Sequence, residues 1–238
     1  MQAEEMFEQL ERKLDEYDLL RHPFYEAWSA GELTEEDLRE YASEHYHHVG
    51  AFPTYLSSLH ARLPDAPLRR AVLRNLCEEE IEGVPHSELW LDFAEGVGAD
   101  REAVKARTPL LAVQELIYTF RTLMESSPAS ALAACFAYES RVPRIAEVKA
   151  RTLVVHYGAN PRTCRYFELH RRVDRHHARI WKREMEILFS DAPSVQDEIL
   201  GGATEASRAL WRALDGIERA RQQRREASGS KSADPDPA

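Results

Sequence analysis

Apolar side chains recur along this chain every three to four positions, the spacing that gives a helix one oily face. Phe7, Leu10, Leu14, Tyr17 and Leu20 make the first stripe, which His22-Pro23 interrupts. FYEAWSAGELT reads as a short helix closed by Gly31. Thr34, with Glu36 and Asp37 behind it, marks a helix start, since its hydroxyl can accept a free backbone N–H and the acids suit the positive end of the helix dipole. That helix carries Leu38, Tyr41, Tyr46 and His48 and runs past Phe52-Pro53 through Leu59. After the turn RLPDAP, Leu68–Glu82 is helical up to Gly83 and Pro85, and His86–Gly96 follows before the loop GVGAD. Pro109–Glu125 is amphipathic, and Pro128–Tyr157 reads as one long helix kinked at Pro143. Tyr166–Trp181 lies on the next helix, and Ser194–Arg221 is the last, with Leu210, Leu214 and Ile217 on its apolar side. There is no convincing strand alternation, internal repeat or glycine-rich phosphate loop. The expectation is an all-α bundle forming a single domain over residues 1–221, with the polar, aromatic-free segment 222–238 as a disordered tail.

Within YFELHRRVDRHHARIW, the helical turn of about 100° per residue stacks His170, Asp174 and His177 on one face. Phe167 and Trp181 flank that face, which turns the column inward, while His176 falls off it. Buried imidazoles and carboxylates need partners, and a first-row metal is a natural one for nitrogen and oxygen donors. Two further clusters offer matching groups. In CEEEIEGVPHSELW, Glu79 and His86 stand seven apart, with Glu80 and Glu82 as rivals because Gly83 and Pro85 interrupt the helix between them. In ACFAYESRVPRIAEVK, Glu139 sits in an otherwise apolar turn. Glu79, His86, Glu139, His170, Asp174 and His177 together make three carboxylates and three imidazoles, a set suited to two metal ions with open positions for dioxygen or substrate. Glu44, His45, His47 and His48 form another donor-rich run, read as surface and pocket-lining residues.

Forty-one acidic against 31 basic residues give a net charge of −10, which argues against nucleic acid as the main partner. Three widely spaced cysteines imply no disulfide framework. No window reaches the roughly 20 apolar residues of a membrane span, and the acidic N-terminus has no signal-like core. A cytoplasmic protein without a membrane partner is expected.

FYEAWSAGELT, YASEHYHHVGAFPTYL, the EEE…HSELW segment, AYESRVPRIAEVK and YFELHRRVDRHHARIW resemble the CADD family of heme-oxygenase-like diiron oxidases, over about residues 20–190. The wider relatives of that family include the pyrroloquinoline-quinone synthase and thiaminase II folds. The resemblance implies a seven-helix heme-oxygenase-like bundle. It implies a di-iron or manganese–iron site on the six residues above, and consumption of O2 with an external reductant from an unidentified electron donor. It also implies synthesis of 4-aminobenzoate for folate, with Tyr25 supplying the ring and Lys149 the amino nitrogen. Tyr41, Tyr138 and Tyr166 match pocket tyrosines that could relay electrons or protons. On an ideal helix Lys149 lies about 80° off the face of Glu139, so a kink at Pro143 or the lysine stem must close the gap. Two other enzymatic readings remain: a related oxidase acting on an external small molecule, and a thiaminase-like enzyme with Cys135 as nucleophile. A homodimer is compatible with the sequence.

Overall fold

The structure, a computed structural model, describes residues 3–231, with side chains through residue 228. The described residues form α1 (Ala3–Asp15), α2 (Pro23–Ala30), α3 (Glu35–Arg62), α4 (Ala66–Glu80), α5 (His86–Gly96), α6 (Arg101–Ala106), α7 (Leu111–Glu125), α8 (Pro128–Glu139), α9 (Val142–Tyr157), α10 (Pro161–Asp191) and α11 (Gln196–Lys231), and no strand. Helix starts follow side-chain chemistry. Thr34 and Asp37 form a reciprocal capping box on α3, and Asp65, Asp100, Ser127 and Asn160 each accept a backbone N–H at the start of α4, α6, α8 and α10. Gly31 ends α2 in the left-handed region (φ 74°), and a Cβ there would also meet the His156 ring at 2.7 Å.

α8 is the middle of the bundle. Its run of alanines lets α11 approach so closely that a Cβ on Gly202 would stand 2.5 Å from the Ser130 carbonyl. α10 packs against α5, α8 and α9, and α3 against α4, α5 and α7. Trp28, Trp90, Trp181, Tyr41 and Tyr55 are fully buried at these contacts.

Three features differ from the sequence reading. The stretch 128–157 is two helices, broken at Ser140-Arg141. Pro143 cannot donate to the carbonyl of Glu139 and its ring would clash there, so α8 closes with Ser140 N–H on Phe136 and α9 starts afresh with Pro143 in its first turn. The first helix stops at Asp15, and Leu19–Arg21 is a separate 3-10 turn capped by Asp18. The expected disordered tail is helical through Lys231. Arg221 and Arg224 both reach Asp37 at 3.2 Å, and Gln222 donates to Glu218 at 2.9 Å, so anchored helix formers carry α11 onward. The remainder of that segment, 232–238, lies outside the described residues.

Candidate metal centre

Two groups of donors meet between α4, α5, α8 and α10. Glu79, His86 and His170 offer ligand atoms all within 4.8 Å of one another, and Glu139, Asp174 and His177 do the same. Each of the six side chains is at most 5% exposed. Among the rivals, Glu80 and Glu82 are exposed to solvent. Glu79 and His86 do not share a helix. The amides of Ile81 and Glu82 turn back onto the Cys77 carbonyl, Gly83 takes φ 86°, and α5 restarts at His86. The end of one helix and the start of the next face the column on α10.

The donor atoms are arranged for a cation. His86 Nδ1 lies 2.8 Å from Glu79 Oε2, yet Nδ1 has no hydrogen-bond partner. Two such atoms, close but not aimed at each other, suit a shared third centre. Asp174 Oδ1 is also buried without a hydrogen bond, 3.6 Å from His177 Nδ1. His170 Nδ1–H donates to the Tyr166 carbonyl at 2.8 Å, which leaves the Nε2 lone pair free to ligate. Burial, reinforced by His86, lowers its pKa to about 3, so the ring is neutral. Burial also opposes charge on His177, but Asp174 and Glu139 outweigh it and raise that ring to about 11. These carboxylates demand positive charge between them. Burial raises the Asp174 carboxyl well above its usual range, which is the cost a bound cation would offset.

A supporting layer fixes the donors. Asn75 Nδ2–H donates to Glu139 Oε1 at 3.0 Å, and Trp181 Nε1–H donates to Oε2. Glu78 Oε2 accepts from His177 Nε2 at 2.7 Å, while His177 Nδ1 stands 2.9 Å from Glu139 Oε1. A carboxylate behind an imidazole sets its tautomer and orientation. The sequence reading placed Trp181 beside the column but missed Glu78 and Asn75 in this layer. Their position carries no local signal, because Glu78 and His177 are 99 residues apart.

A cavity of about 10 Å³ lies between the two donor groups, bordered by Tyr138 and Tyr166. On their other side is a chamber of about 40 Å³ that contains Tyr25, Tyr41 and Lys149. The two tyrosines therefore form the wall between both spaces, and Tyr166 stacks on His170 with ring centres 4.0 Å apart. In the chamber Lys149 Nζ donates to Tyr25 Oη at 2.8 Å and to Tyr41 Oη at 2.5 Å, and the two hydroxyls are 2.8 Å apart. Burial drives the Lys149 pKa well below that of a free amine and the Tyr25 phenol upward. Lys149 reaches this spot because α9 begins anew after the break, so its angle to Glu139 is not that of one helix.

A family model described as an iron-containing redox enzyme matches residues 39–211. The chain belongs to that family. The 4-aminobenzoate synthase of Chlamydia muridarum is 38% identical over 87% of this chain and 88% of its own length. A heme-oxygenase-like domain from Shewanella denitrificans superposes with a TM-score of 0.78 at 19% identity, covering 93% of this chain and 94% of that one. A CADD-like protein from Nostoc punctiforme gives 0.73 at 17%, covering 90% and 98%. The heme-oxygenase-like bundle and the CADD-like resemblance are thus established for this redox enzyme, and its helix count exceeds seven through the short α2 and α6 and the breaks described above.

Other candidates fall elsewhere. Cys135 is fully buried on α8, and burial, with Glu139 nearby, raises its thiol well above the ordinary value, which is the opposite of an activated nucleophile. Glu44 is held by Arg107 and the Leu110 amide. His48 is buried beside Tyr55, with Nδ1 3.4 Å from its hydroxyl, and His45 stacks on Tyr41 at the chamber wall. Among the described residues none of this run joins a metal-binding group, and no helix is long and apolar enough to cross a membrane.

Proposed function

We propose that this chain makes 4-aminobenzoate from its own Tyr25, with Lys149 supplying the amino nitrogen, at the expense of dioxygen and external reducing equivalents. The observation that carries the reading is the buried contact between Lys149 Nζ and the Tyr25 hydroxyl at 2.8 Å. A tyrosine ring with its Cβ has the seven carbons of the product, whose nitrogen replaces the phenol oxygen and whose carboxylate carbon is Cβ. The amine therefore lies against the end of the ring that must receive it. Burial weakens its hold on a proton, which favours the neutral amine with its lone pair free. Relatives named 4-aminobenzoate synthase, similar over most of their length, support the same product.

Glu79, His86 and His170 would hold one metal ion and Glu139, Asp174 and His177 the other. The first group has the two-histidine, one-carboxylate set of iron oxygenases. A di-iron or manganese–iron pair, with dioxygen and the external reductant, would supply the oxidising power to part Cβ from Cα, carry Cβ to the carboxylate and oxidise Lys149 Cε so that its bond to nitrogen hydrolyses, the phenol oxygen leaving as water. The residues do the rest. Tyr166, stacked on His170, and Tyr138 beside it link the ligand cavity to the chamber, where Tyr41 shares its hydroxyl with Tyr25 and Lys149. Tyr41 can pass a proton between the amine and the phenol. The chamber's free space of about 40 Å³ accommodates a water or two or dioxygen, whereas a benzene-sized guest needs about 150 Å³. That disfavours an external aromatic substrate while Tyr25 is in place.

Ring-labelled tyrosine incorporated into the protein, followed by metal loading, reductant and oxygen, should give labelled 4-aminobenzoate. Nζ-labelled lysine should place its nitrogen in the product. Tyr25→Phe should yield none. Unlabelled product, or product from the variant, would reject Tyr25 as the source.

A further inference from the structure

The chamber is lined by one further charged group. Besides the Tyr25, Tyr41 and Lys149 cluster, its mostly apolar lining includes Arg141, with His45 and Ser207. This arginine occupies the break between α8 and α9, its backbone N–H donating to the Tyr138 carbonyl and its carbonyl accepting from Ile145, both at 3.2 Å. Its Nη2 donates to Glu11 at 2.8 Å and lies 3.1 Å from Asp15. Its Nε–H is buried and has no partner, alone in that respect among the described residues that line the chamber. A buried, unpaired guanidinium N–H is costly, and a guanidinium fork matches a carboxylate in two places.

The chamber is also lined by Leu14, Tyr17 and Leu19, on the end of α1 and the segment after it. Arg141 fastens that segment through Glu11 and Asp15, and Arg144 fastens it through Asp18 at 3.2 Å. Both acids on Arg141 are exposed, Glu11 at 48% and Asp15 at 66%, so another carboxylate can compete for the guanidinium.

We propose that Arg141 is the carboxylate anchor of this chamber and receives the acid group of an aromatic carboxylate on its way out. This rests on the reading that the ring of Tyr25 is released as such an acid. The freed ring would then lie with its amino end at Lys149 and its carboxylate toward Arg141, taking the place of Glu11 and Asp15 there. Arg141 is a binding residue in this account and has no part in cutting the ring.

The test uses metal-loaded protein in which Tyr25→Gly opens the space of the ring, titrated with 4-aminobenzoate and with its uncharged analogue 4-aminobenzamide. Arg141→Gln should weaken 4-aminobenzoate at least tenfold and leave 4-aminobenzamide within twofold, with Arg141→Lys in between. Equal affinity for the acid with and without Arg141 overturns the anchor. Should Tyr25→Gly fail to fold, Arg141→Gln alone gives the answer in a single turnover: the product passing into a filtrate, taken as a fraction of the product that same protein yields on denaturation, should appear faster than in wild type. Unchanged release overturns the proposal. Absence of product from wild type itself would reject the source of the ring, and the titration would still report on Arg141.

Discussion

Lys149→Met tests the central electrostatic claim without relying on chemistry. In the unfolded chain the amine keeps its proton up to about pH 10.4, and in the folded chain burial lowers that value far below. Between the two, the unfolded state binds one more proton than the native state, so wild-type stability rises with pH. The slope is about 1.4 kcal/mol per pH unit and ends as the pH passes the unfolded value. Methionine fills similar space and has no proton to lose. It forfeits the contacts to Tyr25 and Tyr41, each worth about 1 kcal/mol, but that loss does not vary across this range. Urea unfolding of both proteins at pH 7, 8 and 9 should show wild type gaining on the variant, by up to about 2.7 kcal/mol over the two units, the limit set by one full proton. For a chain of this size that is a relative shift in Tm of roughly 5–10 °C. The sign is the diagnostic part: a charged, salt-bridged lysine would give no gain or the reverse. A difference that stays flat from pH 7 to 9 would refute the neutral amine and with it the free lone pair assigned to Lys149.

Glu78→Leu should weaken one of two bound metal ions by about 10- to 100-fold while leaving the fold intact, and Glu78→Gln should recover part of that loss; competition titration with a chelator reads both. Gly96→Ala would put a Cβ 2.1 Å from Thr163 Oγ1 and should cost about 1–3 kcal/mol. Gly201→Ala meets nothing within 4 Å and should stabilise α11 by up to about 1 kcal/mol; thermal melts separate the pair. Arg221→Met leaves Asp37 with Arg224 and the α3 cap but strips its buried partner at 3.2 Å, so a loss of about 3 kcal/mol is expected in urea unfolding.

The column His170, Asp174, His177 was legible because one regular helix carries all three, and helical period alone sets their common face. Glu139 was legible as an acid among alanines. Glu79 against Glu80 and Glu82 was not, because the choice depends on how the chain turns at Gly83, and only the turn decides which acid is buried. Lys149 was legible only through family resemblance, since its orientation follows from where α9 restarts. The break itself was placed at Pro143, whereas the ring of that proline acts four residues earlier, on the carbonyl of Glu139, and the disruption falls before it. The continuation of α11 escaped notice because polar composition suggested disorder, while Asp37, far away in sequence, supplies the anchor for Arg221 and Arg224.

Tyr25 is packed against Phe24, Trp28 and Tyr41 on a short helix, and a polypeptide has one residue at that position. A molecule that surrenders this ring becomes a reagent, used up stoichiometrically, and a cell's yield then tracks how fast ribosomes replace it. The exhausted copy would keep its bundle but with a hole where an aromatic stood, a loss of about 3–5 kcal/mol. Spent chains would unfold more often than fresh ones, and proteases would clear them first.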